Sequence, residues 1–339
     1  MSSVAATWGV TEERERALPR WFLPAYSGLV IAVYFLLALG SSVRVMKAGL
    51  ACPDWPLCFG DVIPDYHPQV YFEFIHRVVA GLVAVSTVSL HFVLMRSAVA
   101  RWLKVLAGFA LVLLLTQIVF GALTVVLLLK SGVVATHLLL GASFFVSLLW
   151  IYLSLKGSAF LSLSTAHQRR LFAQSVFVTA AVFGQILLGG MVAANFASLV
   201  CIDFPTCHGE WFPTFSGIIG LHIIHRLGGY FVFVTALVNG LLAWRFGSPR
   251  FKKLAGILFA CVCGQICLGI ANVLFLTPPL IAVAHLAMAM AILSVAVRQV
   301  HLVSGAARPA PLLKHTFGSG ARFREHRTNP NSDRARPGF

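Results

Sequence analysis

Apolar residues dominate this chain in eight long runs, each broken by a short polar stretch. The runs cover roughly 22–43, 71–95, 103–128, 133–155, 171–194, 217–244, 254–274 and 280–302. Each is long enough to cross the ~30 Å hydrocarbon layer, which takes about 20 apolar residues in helical form. Backbone N–H and C=O groups in lipid must be satisfied within the segment, so the pattern predicts eight transmembrane helices. The fold class is therefore all-α integral membrane.

The polar stretches differ in charge. Arg96, Arg101 and Lys104 lie between the second and third runs. Lys156, Arg169 and Arg170 lie between the fourth and fifth, and Arg245, Arg250, Lys252 and Lys253 between the sixth and seventh. Arg14, Arg16 and Arg20 precede the first run, and a Pro-, Gly- and Arg-rich tail follows the last. The alternate connections carry little net positive charge. Arg44 and Lys47 in the first are offset by Asp54, Asp61 and Asp65; the third has only Lys130; the fifth and seventh have no Lys or Arg. The positive-inside rule then places both termini in the cytoplasm and the chain in the cell (inner) membrane. The net charge of +15 thus reports topology and contact with anionic lipid, and no nucleic-acid partner is expected. Residues 1–20 mix Glu with Arg and do not resemble a signal-peptide n-region, so the first helix is expected to be a retained anchor. The tail is expected to be disordered.

The chain also repeats itself. Cys52-Pro-Asp-Trp-Pro-Leu-Cys58 returns as Cys201-Ile-Asp-Phe-Pro-Thr-Cys207, 149 residues on. Glu73-Phe-Ile-His76-Arg77 returns as His222-Ile-Ile-His225-Arg226 at the same offset. Gln117 and Gly121 match Gln265 and Gly269 at 148, as His137 matches His285. Each half holds an even number of spans, so the halves share one orientation about a pseudo-two-fold axis along the membrane normal. The expected plan is two tandem four-helix bundles. Residues 1–21 form a cytoplasmic segment, 22–155 the N-terminal bundle, 156–170 a cytoplasmic linker, 171–302 the C-terminal bundle and 303–339 the basic tail.

Within this plan His76, His137, His225 and His285 all fall on outward-starting helices, five to eight residues from the outer end. At 1.5 Å per residue that is a common depth of roughly 8–12 Å. Imidazoles inside a membrane are costly and read first as functional. Two facing imidazoles at one level suit the axial positions of a metal macrocycle in a bundle, whereas two ligands per half are too few for zinc. Arg77 and Arg226 follow two of these histidines. Pairing with a propionate and snorkelling to headgroups both fit them. Glu73 and His222 break the repeat one helical turn earlier. A partly desolvated carboxylate there could move protons or stabilise positive charge, which marks Glu73 as the catalytic candidate. His222 is a second-shell or structural candidate. The cysteine pairs lie in outward loops, where a disulfide within each pair is expected; a structural staple and a redox-active dithiol both fit them. Cys261, Cys263 and Cys267 read as packing residues, as do Gln117, Gln185 and Gln265 with the glycines that follow them. His91, His167, His208, His301, His315 and His326 have no repeat partner and read as structural or solvated.

The run Gly40-Ser-Ser-Val-Arg44, then Gly49-Leu-Ala-Cys-Pro-Asp-Trp-Pro-Leu-Cys-Phe-Gly60, then Glu73-Phe-Ile-His-Arg77, resembles the heme A synthase family. The resemblance extends over nearly all of residues 22–302. It implies an oxidoreductase that converts the C8 methyl of heme O to the formyl of heme A for terminal oxidases. It also implies that His225 and His285 ligate a resident heme B, that His76 and His137 hold the substrate heme, and that Glu73 is the catalytic carboxylate. It further implies disulfides Cys52–Cys58 and Cys201–Cys207, and as partners a heme O synthase and an electron donor of unstated identity. Two other readings stand beside it from the residues alone: a non-enzymatic diheme b-type cytochrome, and a membrane thiol oxidase. A transporter is the weakest reading, since it rests on the repeat alone.

Overall fold

The computed structural model describes residues 17–157, 165–211 and 213–304; the expectations for the N-terminal segment before residue 17 and for the tail from 305 onward lie outside the described residues. Among the described residues, eight helices are long and apolar enough to span a membrane. They are α1 (Phe22–Val45), α2 (Pro68–Met95), α3 (Arg101–Val126), α4 (Ser131–Lys156), α5 (Thr165–Ala194), α6 (Gly217–Phe246), α7 (Pro249–Leu274) and α8 (Pro279–Val303). A single 3-10 turn, Ala197–Leu199, follows α5.

The ends follow from local chemistry. Proline opens α2, α7 and α8, where its missing N–H costs nothing and its fixed φ suits the first turn. The Ser248 hydroxyl caps α7 by accepting from Phe251 N at 3.3 Å. The fifth helix starts six residues before the apolar run does. Its first turns are polar, at His167-Gln168-Arg169-Arg170, and Gln168 donates to the Val303 carbonyl at the end of α8. Hydropathy marks the lipid boundary, and the helix simply continues past it.

Helices pack in sequence and close back on themselves. α1 packs on α2, α2 on α3, α3 on α4 and α4 on α1; α5 through α8 repeat this circuit. The two sets meet through α1 with α8, α4 with α5, and α4 with α8. α4 therefore has neighbours on every side, and 56% of its apolar window is buried, against 22–28% for the other helices. Its small residues Gly141, Ala142, Ser143 and Ser147 permit that close approach.

The packed core is not uniform along the helices. Phe22, Tyr26, Leu94, Phe145, Leu148, Ile151, Leu258 and Leu293 are essentially inaccessible and form one continuous cluster, all toward the end where α1 begins. Toward the opposite end α1 and α8 are less completely buried, although the Cys52, Cys58 and Val70 cluster and the Cys201, Cys207 and Ile223 cluster lie there. Every residue of α1 from Leu36 to Ser42, and of α8 from Ile281 to Ala289, stays partly accessible. The helices are thus more completely buried at one end than at the other.

Candidate functional site

The four repeated histidines lie toward the less completely buried end. Each ring packs against a glycine of the preceding helix. A Cβ on Gly40 of α1 would lie 3.2 Å from His76 Cε1, and one on Gly121 of α3 would lie 3.4 Å from His137 Cε1. In the second half, Gly189 of α5 faces His225 Cε1 at 3.0 Å and Gly269 of α7 faces His285 Cε1 at 3.3 Å. Ordinary carbon contacts are ~3.5–4.0 Å, so a Cβ would crowd the imidazole most at Gly189 and least at Gly121.

The hydrogen bonding of these rings is incomplete. Nδ1 of His76, His137 and His285 is buried without a hydrogen-bond partner among the described residues. The Gln185 amide nitrogen lies 3.1 Å from His225 Nδ1 and donates to the His225 carbonyl at 2.8 Å. Gln117 sits 3.4 Å from His137 Nε2. A buried polar atom left unpaired costs about 1–3 kcal/mol. Paired imidazoles at that cost, walled by glycines and bordered by half-packed helix ends, fit a large planar metal macrocycle held through its axial positions.

Above each pair sits a disulfide-closed loop, Cys52–Cys58 and Cys201–Cys207. The two loops share one hydrogen-bond scheme, which runs three residues past the second cysteine. Asp54 accepts from Phe59 N at 2.7 Å and Gly60 N at 2.8 Å; Asp203 accepts from His208 N and Gly209 N, both at 2.9 Å, and from the Thr206 hydroxyl at 2.6 Å. Gly60 and Gly209 turn at φ +80° and +79°, a conformation that favours glycine. These donors hold both carboxyls below the usual range. The Gly60 N–H does most for Asp54, with the Phe59 N–H and the Arg77 charge adding to it. For Asp203 the Thr206 hydroxyl leads, then the Gly209 N–H.

Arg77 and Arg226 point into these loops. Arg77 Nη1 donates to the Asp54 and Leu57 carbonyls at 2.8 and 2.7 Å, and Nη2 to the Cys52 carbonyl at 3.4 Å and to Glu73 Oε1. Arg226 donates to the Thr206, Cys201 and Asp203 carbonyls, each at 2.9 Å. Glu73, 4% exposed, also accepts from Cys52 N at 2.9 Å through Oε2. Its counterpart His222 instead donates from Nδ1 to the Ala197 carbonyl at 2.7 Å, tying α6 to the 3-10 turn.

Of the histidines without a repeat partner, His208 lies in the second disulfide loop, and His315 and His326 lie outside the described residues. His91 bonds the Tyr26 hydroxyl at 2.9 Å, and His301 lies 3.1 Å from Ser154 Oγ. Cys261, Cys263 and Cys267 are free thiols on α7. The glycines facing the imidazoles carry more than a packing reading assigned to them. Their signal was present in the sequence, since Gly40 and Gly189 are 149 apart and Gly121 and Gly269 are 148 apart, the offsets of the histidines they face.

The chain is similar in sequence to known proteins. The family described as cytochrome oxidase assembly protein matches residues 65–297. The heme A synthase of Shewanella oneidensis is 31% identical over 300 residues, covering 76% of this chain and 88% of that protein. The heme A synthase of Halalkalibacterium halodurans is 30% identical over 246 residues, covering 68% and 79%. That of Paracoccus denitrificans is 26% identical over 324 residues, covering 80% and 85%.

Proposed function

The chain belongs to the COX15-CtaA family of cytochrome oxidase assembly proteins, and we propose that it is a heme A synthase, an oxidoreductase that turns the C8 methyl of heme O into the formyl of heme A. The observation that carries this reading is the fourfold pairing of a buried imidazole with a facing glycine, set twice over by the repeat. His225 and His285 would hold heme B in the second half, and His76 and His137 would hold heme O in the first. Heme B when bound supplies a one-electron relay beside the substrate. The halves stand as two bundles about an axis along the membrane normal, with both termini cytoplasmic and the disulfide loops outside. A heme O synthase would supply the substrate, and a separate donor would exchange electrons.

Conversion of a methyl to a formyl group with water as oxygen source releases four electrons and four protons, whatever the route. The chain's own task is to bind and orient the macrocycle, exclude bulk water and place charge near the reacting carbon. Glu73 is the one acidic group the repeat does not duplicate in the pair of helix turns nearest the histidines. Its two oxygens are occupied by the Cys52 N–H and the Arg77 guanidinium. A carboxylate so held acts better as a fixed negative charge, stabilising positive character as it develops at the carbon, than as a mobile proton carrier. His222, spent on the Ala197 carbonyl, offers the second half no such charge. This favours reaction in the first half and electron relay in the second.

The test is to co-express the chain with a source of heme O and analyse the extracted hemes. Heme A appears with the wild-type chain. With Glu73→Ala, heme stays bound and heme A does not form. Recovery of heme B alone, with supplied heme O left unconverted by the wild-type chain, identifies a diheme cytochrome instead.

A further inference from the structure

Resting on that reading, we infer that Arg77 is a positioning residue: it couples the Cys52–Cys58 loop to Glu73 and thereby sets where the catalytic carboxylate stands. The disulfide then serves the reaction by geometry, without thiol exchange. Two lines from the same small ring converge on one carboxylate. The Cys52 N–H donates to Oε2, and the guanidinium that grips the carbonyls of Cys52, Asp54 and Leu57 donates to Oε1. Both lines begin within the seven-residue ring closed by the disulfide.

The second half shows what the arginine does without a carboxylate. Arg226 makes the equivalent three contacts to loop carbonyls and lies over the Phe204 ring at 5.8 Å, with no hydrogen bond to a carboxylate among the described residues, because His222 has turned away to Ala197. Gripping the loop is thus common to both halves, while holding the acid belongs to the first. Only a planar fork does both at once. A lysine ammonium is a single point and cannot span Leu57, Asp54 and Glu73 together. The side chains are largely enclosed, 15% and 5% exposed for Arg77 and Glu73, so water is a poor substitute for the lost donor.

The experiment uses the full chain in membranes with supplied heme O, and it reads four quantities. These are kcat for heme A formation, KM for heme O, the spectrum of bound heme, and the count of alkylatable thiols on the outer loops. For Arg77→Lys, kcat falls about 10- to 100-fold, the cost of displacing a catalytic group by ångström distances. KM stays within about threefold, the heme spectrum is unchanged and the loop cysteines stay resistant to alkylation. In a Glu73→Gln background, adding Arg77→Lys changes the residual rate by less than about threefold, because its effect runs through the acid already lost. An unchanged kcat in Arg77→Lys overturns the inference, as does a kcat loss matched by loss of heme or opening of the disulfide, or a full further loss in the double variant. Thiols that become alkylatable in the wild-type chain during turnover overturn the positional role of the disulfide. Full activity in Glu73→Gln alone would instead remove Glu73 from the proposed reaction, a separate failure.

Discussion

Gly189→Ala measures how much of the second-half heme site rests on glycine. The added Cβ would come to 3.0 Å from His225 Cε1 and 3.7 Å from both ring nitrogens. A relaxed carbon contact needs ~3.5–4.0 Å, so the ring or α5 must yield by about 0.5–1 Å. The ring has little freedom to do so, because the Gln185 amide holds both its Nδ1 and the carbonyl of the same residue. Overpacking of this kind costs about 1–3 kcal/mol. Charged to heme affinity, that is about a 5- to 150-fold weaker site. Gly121→Ala, where the Cβ would sit at 3.4 Å from His137, should cost least of the four. Gly184→Ala lies on the same helix with nothing within 4 Å, and it serves as the control for helix propensity and expression. Heme per protein, read from the reduced absorption spectrum of purified chain across a heme titration, should fall for Gly189→Ala and hold for Gly184→Ala. Equal heme content in these two variants would refute the reasoning, because the glycine would then make no room for an axial ligand.

Three further outcomes follow from the same geometry. His225→Ala and His285→Ala should each strip the heme B spectrum, while His76→Ala should leave heme B in place and abolish heme O binding; loss of heme B in His76→Ala would break the division between the halves. Asp203→Ala should expose the His208 and Gly209 amides, and hydrogen exchange on the second loop should rise at least about tenfold. Because the folded pKa of Asp203 is lowered, the loop stability it supplies is full above the ordinary value of 3.8 and is lost as pH falls below 3.8 toward the folded pKa. The protection of the wild-type loop, taken relative to the intrinsic exchange rate at each pH, should therefore fall only in that acid window, and a fall already at pH 5–6, or the same acid fall in Asp203→Ala, would count against the carboxylate.

Most of the fold could be read directly. Eight apolar runs became eight helices because a lipid-embedded backbone has few alternatives, and the runs fell within a few residues of the helices. The exceptions are where hydropathy is the wrong variable. α5 begins at Thr165 because helix formation does not stop at the lipid boundary, and the central position of α4 is a matter of small residues rather than polarity. In the site, the histidines announced themselves through cost and repetition. Gly40, Gly121, Gly189 and Gly269 share the histidines' offsets, but a glycine in a membrane helix has many uses, and only the neighbouring imidazole shows which use each repeat serves. Arg77 and Arg226 were equally opaque. Propionate and headgroup were the anions in view, and a backbone carbonyl of a distant loop leaves no mark in sequence.

Those arginines explain why the loop and the helix below it repeat together. A guanidinium one residue past the histidine reaches up to carbonyls of the disulfide ring, so loop and histidine are placed by one rigid connection in each half. With that frame duplicated, a single substitution four residues before the arginine separates the two halves. An imidazole there can satisfy itself on the Ala197 carbonyl, and that helix turn then offers no carboxylate to Arg226. A carboxylate there has no hydrogen to donate to the equivalent carbonyl. It must instead accept, and the nearest donors are the Cys52 N–H and the arginine already anchored to the loop. The acid is therefore bound to the frame by its own chemistry, and a carboxylate ion-paired with the arginine stands one helical turn before His76 and has no counterpart before His225.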